Sequence, residues 1–274
     1  MQGQGAGDSE LAGVLIVLKY GGHAMTGGAD PVLDEVAQRI AAGDRIVLVH
    51  GGGPQIDGAL RLRGIGERRV AGLRVTDAAT LEVVEAVLCG TVNKALVRAL
   101  AARGLAAAGT SGQDGGLLRA TRATGPGGED LGAVGDDLTV GTGLLRALLD
   151  GGFLPVVAPL AVDAATGEAL NVNADTAAGA IAGALGAGLY ANVTNVTRVL
   201  RDLADPGSEI AVLPRADALR GLADGSFAGG MEPKLRSALL ALGAGAARAV
   251  ICGGGSPIAA ALSGAATEIV ADPA

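Results

Sequence analysis

Lys19 closes the apolar run Val14-Leu-Ile-Val-Leu18 and is followed by Tyr20, Gly21 and Gly22. A second run, Ile46-Val-Leu-Val49, stops at His50 and opens into Gly51, Gly52 and Gly53 ahead of Pro54. Both read as buried strands that empty into glycine loops. Residues without a Cβ let consecutive backbone N–H groups close around an anion at a helix start. Residues 51–53 therefore read as an anion cradle, and Lys19 as a cation at a partner junction. That pairing suits a site that neutralises and holds phosphate. Either junction alone is a weak signal, because glycine turns after strands are common. Three further segments strengthen it: Gly72-Leu-Arg-Val-Thr-Asp77, Asn171-Val-Asn-Ala-Asp175 and Gly229-Gly-Met-Glu-Pro-Lys234.

The elements that must position these residues follow from hydrophobic patterning. Strand-like runs fall near 14–18, 45–49, 104–110, 153–158, 189–194 and 247–252, and helix-like stretches near 31–42, 54–63, 77–102, 139–150, 174–186 and 231–244. Continuous apolar strands alternating with helices predict a three-layer α/β/α sandwich around a mostly parallel open sheet. Residues 116–122, a Gly/Pro turn at 125–128 and residues 131–134 read instead as a hairpin, forming a lid or rim beside the sheet. Asn173 and Asp175 are capping types, so a helix is expected to begin there.

Composition narrows the function classes. The 274 residues are 49% hydrophobic, yet no apolar run approaches the roughly 20 residues needed to cross a bilayer. The hydrophobicity is mostly alanine in amphipathic stretches, so no membrane association is expected. Residues 1–12 lack the pattern of a secretion signal and read as a disordered tail, which predicts a cytoplasmic protein. The net charge of −7 argues against a nucleic-acid or anionic-membrane surface. Cys89 and Cys252 fit neither metal spacing nor a disulfide framework, and no metal-ligating residue is assigned. Small-molecule partners are expected.

Together with Lys-Tyr-Gly-Gly-His-Ala-Met and His-Gly-Gly-Gly-Pro-Gln, the three polar segments stand in an order that resembles the acetylglutamate kinases of the amino acid kinase superfamily, from about Val14 to Ile269. Gly90-Thr-Val-Asn-Lys94, Gly112-Gln-Asp-Gly115 and Gly152-Phe-Leu-Pro-Val-Val157 fit the same pattern. The resemblance implies an amino acid kinase domain over 13–274, with an acceptor-binding lobe at about 13–160 and a nucleotide-binding lobe at about 161–274. It implies transfer of the γ-phosphoryl group of ATP, with Mg²⁺, to the side-chain carboxylate of N-acetyl-L-glutamate in arginine biosynthesis. Lys19 and Lys234 would hold phosphoryl oxygens, and Asp175 would orient both lysines. Arg74 would fork onto the acceptor's α-carboxylate, Asn171 would contact its α-side groups, and Gly52 and Gly53 would bind it. Gly21 and Gly22 would face the phosphoryl group alongside Gly51. Thr194, Asn195, Val199, Leu200, Phe227 and Lys234 would bind the nucleotide. A homodimer is expected, without strong arginine feedback, because the short tail is unsuited to the added helix of arginine-inhibited members.

The chemistry is coherent without the name. A carboxylate acceptor is already ionised near neutrality, so no general base is needed and His50 is expected to be structural. The burden is to bring an anion to a polyanion, which calls for lysines, backbone amides and Mg²⁺. His23 stands where the family usually has Asn and reads as a loop polar residue. Departures concentrate on the nucleotide half: Asn195 stands where the family has an acid and Arg198 where it has glycine. Glu232 adds negative charge near Lys234, and Cys252-Gly-Gly-Gly255 replaces an acidic turn. Two other readings follow: a related kinase acting on another carboxylate, such as a carrier-linked α-aminoadipate, or a descendant that binds ligand without catalysis.

Overall fold

The computed structural model describes residues 13–21, 30–253 and 255–272; the expected tail, Gly22 and His23 lie outside the described residues. The chain runs through β1 (Leu15–Tyr20), α1 (Pro31–Ala41), β2 (Arg45–His50), α2 (Gly53–Leu62), β3 (Arg69–Val70) and β4 (Leu73–Arg74). Next come α3 (Ala78–Glu85), a π-helical stretch Ala86–Val92, α4 (Asn93–Ala101), β5 (Ala107–Ser111), β6 (Leu118–Thr124), β7 (Asp130–Val140) and α5 (Gly143–Asp150). They are followed by β8 (Leu154–Ala158), β9 (Leu160–Asp163), β10 (Ala169–Val172), α6 (Ala174–Leu185), β11 (Leu189–Thr194), β12 (Val199–Leu200) and β13 (Glu209–Ile210). The last described elements are β14 (Val212–Pro214), α7 (Arg215–Ala223), α8 (Glu232–Gly243), β15 (Ala249–Gly253), α9 (Pro257–Leu262) and β16 (Thr267–Val270).

Eight strands form one sheet in the order β14-β16-β15-β11-β1-β2-β8-β5. All neighbours are parallel except β15 and β16. The apolar strands are buried on both faces, and alternation divides them between two cores. Val17, Val47, Val49 and Tyr190 join Ala178, Ile181 and Leu235 on one side. Ile16, Leu18, Leu48 and Val250 join Val36, Leu60, Leu96 and Ile258 on the other. Helices cover both faces, giving the three-layer α/β/α sandwich that the patterning predicts. No helix among the described residues is long and apolar enough to cross a membrane.

Three local readings need correction or refinement. The expected helix over 77–102 is broken by the π-helical stretch around Cys89-Gly90-Thr91, a short widening of the kind that recurs at functional sites. The helix expected from 139 begins at Gly143, because Thr139 and Val140 extend β7 to pair with Arg119 and Leu118. The hairpin near 116–134 is present as β6 and β7, and it goes further than expected: with β9 and β10 it closes a four-stranded barrel. The barrel carries Val134 and Asn171 to the mouth of the main sheet.

Candidate active site

The carboxyl ends of β1 and β2 lie side by side, with Lys19 opposite Val49 and Tyr20 opposite His50. On its other edge β1 pairs with β11, which sets Lys19 beside Asn192. Both side chains project towards α6 and α8. Helix α6 starts at an N-cap, Asn173, whose side chain accepts from the N–H groups of Asp175 at 2.8 Å and Thr176 at 3.2 Å. The cap fixes the first turn and with it Asp175. Helix α8 approaches α6 closely, because a Cβ at Gly179 would lie 2.4 Å from the carbonyl oxygen of Ser237. This backbone contact, which only glycine permits without displacement, brings Lys234 over the first turn of α6.

Asp175 is shared by two cations. One carboxylate oxygen lies 3.0 Å from Lys19 Nζ and the other 3.4 Å from Lys234 Nζ. Burial pushes the Asp175 carboxyl up, but the two ammonium groups and the Asn192 hydrogen bond outweigh it and hold the group below its usual range. Burial lowers Lys234, opposed by Asp175 and reinforced by Lys19. Two ammonium groups against one carboxylate leave a surplus positive charge in a desolvated place. A Cβ built on Gly21 would lie 3.6 Å from Lys19 Nζ, so this glycine flanks the ammonium directly.

Beside this triad is a cleft of about 170 Å³ lined by Gly51, Gly52, Gly53, Arg74, Asn171 and Asn173 among others. The N-termini of α2 and α6 both open onto it, and α2 carries no side-chain cap. Unpaired N–H groups and two helix dipoles thus favour an anion there. Gly52 packs closely on Leu88, since a Cβ would sit 2.7 Å from Leu88 Cδ2 and that side chain would have to move. Gly51 donates its N–H to the carbonyl of Tyr20 at 2.9 Å, tying the two glycine junctions together.

Arg74 is buried at the cleft wall. Its guanidinium is bonded to Asp57 and lies 3.4 Å from Glu67, while Arg69 also bonds Glu67 and comes within 3.5 Å of Asp57. Asn171 donates to Thr76 Oγ1 at 3.2 Å, and the Thr76 hydroxyl donates to the Arg74 carbonyl at 2.8 Å. The two expected acceptor contacts are therefore mechanically linked. Asp57, Glu67 and Arg69 were not anticipated from sequence, because their pairing with Arg74 depends on how β3 and β4 fold back on α2.

His50 is wholly buried, with Nδ1 2.9 Å from the Gly51 carbonyl and Nε2 3.2 Å from Asn93 Nδ2. Burial lowers its pKa to about 4, so the ring is neutral near pH 7. Asn93 reaches it from the end of the π-helical stretch and also donates to the carbonyls of Thr110 and Val156. His50 is thus a satisfied structural residue.

The residues expected around the nucleotide are more dispersed. Thr194 and Asn195 sit at the end of β11, where the Thr194 hydroxyl donates to Asn195 Oδ1 at 3.2 Å. Leu200 is half-buried, whereas Val199 and Phe227 are buried core residues and Phe227 packs on Gly221. Arg198 bonds the Gly264 carbonyl and lies 3.6 Å from Glu209, and Glu232 accepts from Arg236 at 2.9 Å. Both charges that looked disruptive in the sequence have partners. Sequence reasoning also missed Asn192, Tyr190 and Ser237, which line the underside of Asp175. The signal was present: an amide in the middle of a strand otherwise fit for a core.

A family model described as the amino acid kinase family matches residues 14–253. An acetylglutamate kinase of Symbiobacterium thermophilum is 41% identical, over 90% of this chain and 87% of its own. One of Methanopyrus kandleri is 47% identical, over 86% of this chain and 93% of its own. Among solved structures, a protein of Streptococcus mutans UA159 superposes with a TM-score of 0.79 at 26% identity, covering 94% of this chain and 99% of the other.

Proposed function

The chain belongs to the amino acid kinase family, and we propose that it transfers the γ-phosphoryl group of ATP to the side-chain carboxylate of N-acetyl-L-glutamate, as an enzyme of arginine biosynthesis. The observation that carries this reading is the Lys19–Asp175–Lys234 triad, at 3.0 and 3.4 Å, with Lys19 and Asp175 buried and Lys234 half-buried, beside a cleft walled by two helix N-termini and Arg74. A carboxylate oxygen of the acceptor attacks the γ-phosphorus, the bond to the β,γ-bridging oxygen breaks, and ADP leaves with that electron pair. No proton moves, so no base is required. Lys19 and Lys234 carry the growing charge on the transferring oxygens, and Asp175 keeps both ammonium groups placed without cancelling them. Arg74 takes the acceptor's α-carboxylate with its planar fork, Asn171 takes the α-side groups, and Gly52 and Gly53 offer backbone amides. The phosphoryl group falls to Gly21 and Gly51, with Gly22 assigned the same role from sequence. Thr194, Asn195, Val199, Leu200 and Phe227 belong to the nucleotide side, with the lobes dividing near residue 160.

Among the described residues no group of three or more His, Cys, Asp or Glu converges as a metal cage. On this reading Mg²⁺ would be held chiefly by the nucleotide phosphates and would supply charge neutralisation there. The working form is a cytoplasmic homodimer. The test is ATP- and Mg²⁺-dependent hydroxamate formation with N-acetyl-L-glutamate, set beside glutamate, aspartate and α-aminoadipate derivatives. Selective turnover of N-acetyl-L-glutamate is expected. Preference for an aminoadipate derivative would move the assignment to a related carboxylate kinase, and absence of both turnover and ATP binding would make the chain a non-catalytic binder.

A further inference from the structure

Asn192 lies mid-strand in β11, is fully buried, and faces the same side of the sheet as Lys19. Resting on the phosphotransfer reading above, we propose that Asn192 is a positioning residue for the reaction: its amide, oriented by Tyr190 and Ser237, holds the Asp175 carboxylate where one oxygen meets Lys19 and the other meets Lys234.

Ser237 Oγ lies 2.8 Å from the Lys234 carbonyl, which can only accept, so the hydroxyl proton goes there. Tyr190 OH, 2.9 Å from Ser237 Oγ, must then donate to it. The Asn192 amide nitrogen is 2.8 Å from Asp175 Oδ1, 3.1 Å from Tyr190 OH and 3.3 Å from Ser237 Oγ. One amide proton therefore meets the carboxylate and the other meets the hydroxyl pair. The flipped amide would point its oxygen at a carboxylate that has no proton to give, so only one orientation is consistent. The chain of donors starts at Asn192 and ends on the backbone of Lys234, the residue whose ammonium closes the loop onto Asp175. The triad's geometry is thereby tied to α8 at both ends of the Lys234 residue.

The arrangement is costly in another respect. Asn192 Oδ1 is buried without a partner among the described residues. An apolar side chain on this central strand would avoid that orphan acceptor, which costs stability when buried. A residue that breaks a local packing rule while bonding the triad's acid has the signature of function rather than of folding.

A structural role and a positioning role predict opposite outcomes for Asn192→Leu. The positioning role predicts a melting temperature equal to or above wild type, a kcat lower by about ten- to a hundredfold, and KM values for acceptor and ATP within about threefold. Ser237→Ala, which removes the far end of the chain, should lower kcat by about threefold with the same unchanged KM values. Asn192→Asp keeps the shape and provides the second variant should Asn192→Leu not fold; it places a carboxylate against Asp175 and should lower kcat at least as much, with partial recovery below pH 5 as one acid protonates. Wild-type kcat in any folded Asn192 variant would overturn the inference. Should wild type itself phosphorylate no acceptor, the function reading fails separately. The carboxyl ¹³C titration of Asp175 then tests the contact: its midpoint should rise in Asn192→Leu, and an unchanged midpoint would overturn the proposal.

Discussion

The two cationic centres, one beside the cleft and one in its wall, are built on opposite principles. At the triad, two lysines share one carboxylate, Lys19 and Asp175 are buried and Lys234 is half-buried, and a hydrogen-bond chain runs from β11 to α8. At Arg74, two arginines face two carboxylates, so the charges balance, and Arg69 and Glu67 lie on the surface. A surplus cation held rigidly is suited to charge that develops during a reaction, where no reorganisation should be needed. In a self-neutralised cluster an incoming carboxylate competes with Asp57 for Arg74, and the displaced acid, partly exposed, keeps Arg69 as a neighbour. On the proposed function, the first centre would govern rate and the second acceptor affinity.

The largest effect that would sharpen this division is at the lysines. Lys19→Ala or Lys234→Ala should lower kcat by roughly 10²–10³-fold, with acceptor KM little changed, measured by steady-state hydroxamate formation. A mainly KM-based defect would erase the distinction. Arg74→Lys should raise acceptor KM by about tenfold and leave kcat nearly intact, since a point charge loses the fork. A fall in kcat alone would place Arg74 with the reacting groups.

Acid titration separates the regions in a third way. The pKa of His50 is lowered to about 4, so the unfolded chain binds its proton first. Its contribution to stability is complete above its unfolded pKa near 6.5 and is lost progressively as pH falls from there towards 4, by about 3 kcal/mol in all. Asp175 is held below its usual range, so its contribution is lost only below the ordinary carboxylate pKa near 4. Melting curves against pH should show the first limb in wild type and lose it in His50→Gln. Persistence of that limb would move its origin elsewhere. The smallest effect is expected from Asp57→Asn, which frees Arg74 from its nearest competitor and should lower acceptor KM by about two- to fourfold. An increase would show that Asp57 orients Arg74 instead of competing for it.

Most of the secondary structure around the site is legible locally. The apolar runs ending at Lys19 and His50 are β1 and β2, and the Asn173 cap starts α6 as its chemistry requires. The glycines of residues 51–53 announce an anion-seeking turn, and Asp175 and Lys234 stand out through the segments that carry them. Less visible was the break of the long helix near Gly90, since periodicity measures a buried face and is blind to a single widened turn that lets Asn93 reach His50. Charge patterning could not foresee that Arg198 bonds the Gly264 carbonyl, which lies far along the chain, whereas the Glu232–Arg236 contact is an i,i+4 pair that helical spacing makes legible.

By itself the sequence determined the layered α/β class, the glycine junctions and the inventory of cations and acids, because these depend on side-chain type and on periods of two and 3.6 residues. Only the tertiary structure decided which of them meet. It paired β1 with β11, so that Lys19 stands beside Asn192, and it pressed α8 onto Gly179, so that Lys234 reaches Asp175. It also folded β3 and β4 back on α2, so that Arg74 is masked by Asp57. The reason is physical: burial is encoded in local pattern, whereas the partners of a buried charge are set by packing between separate elements, which can lie far apart in the chain, as Lys19 and Asp175 do.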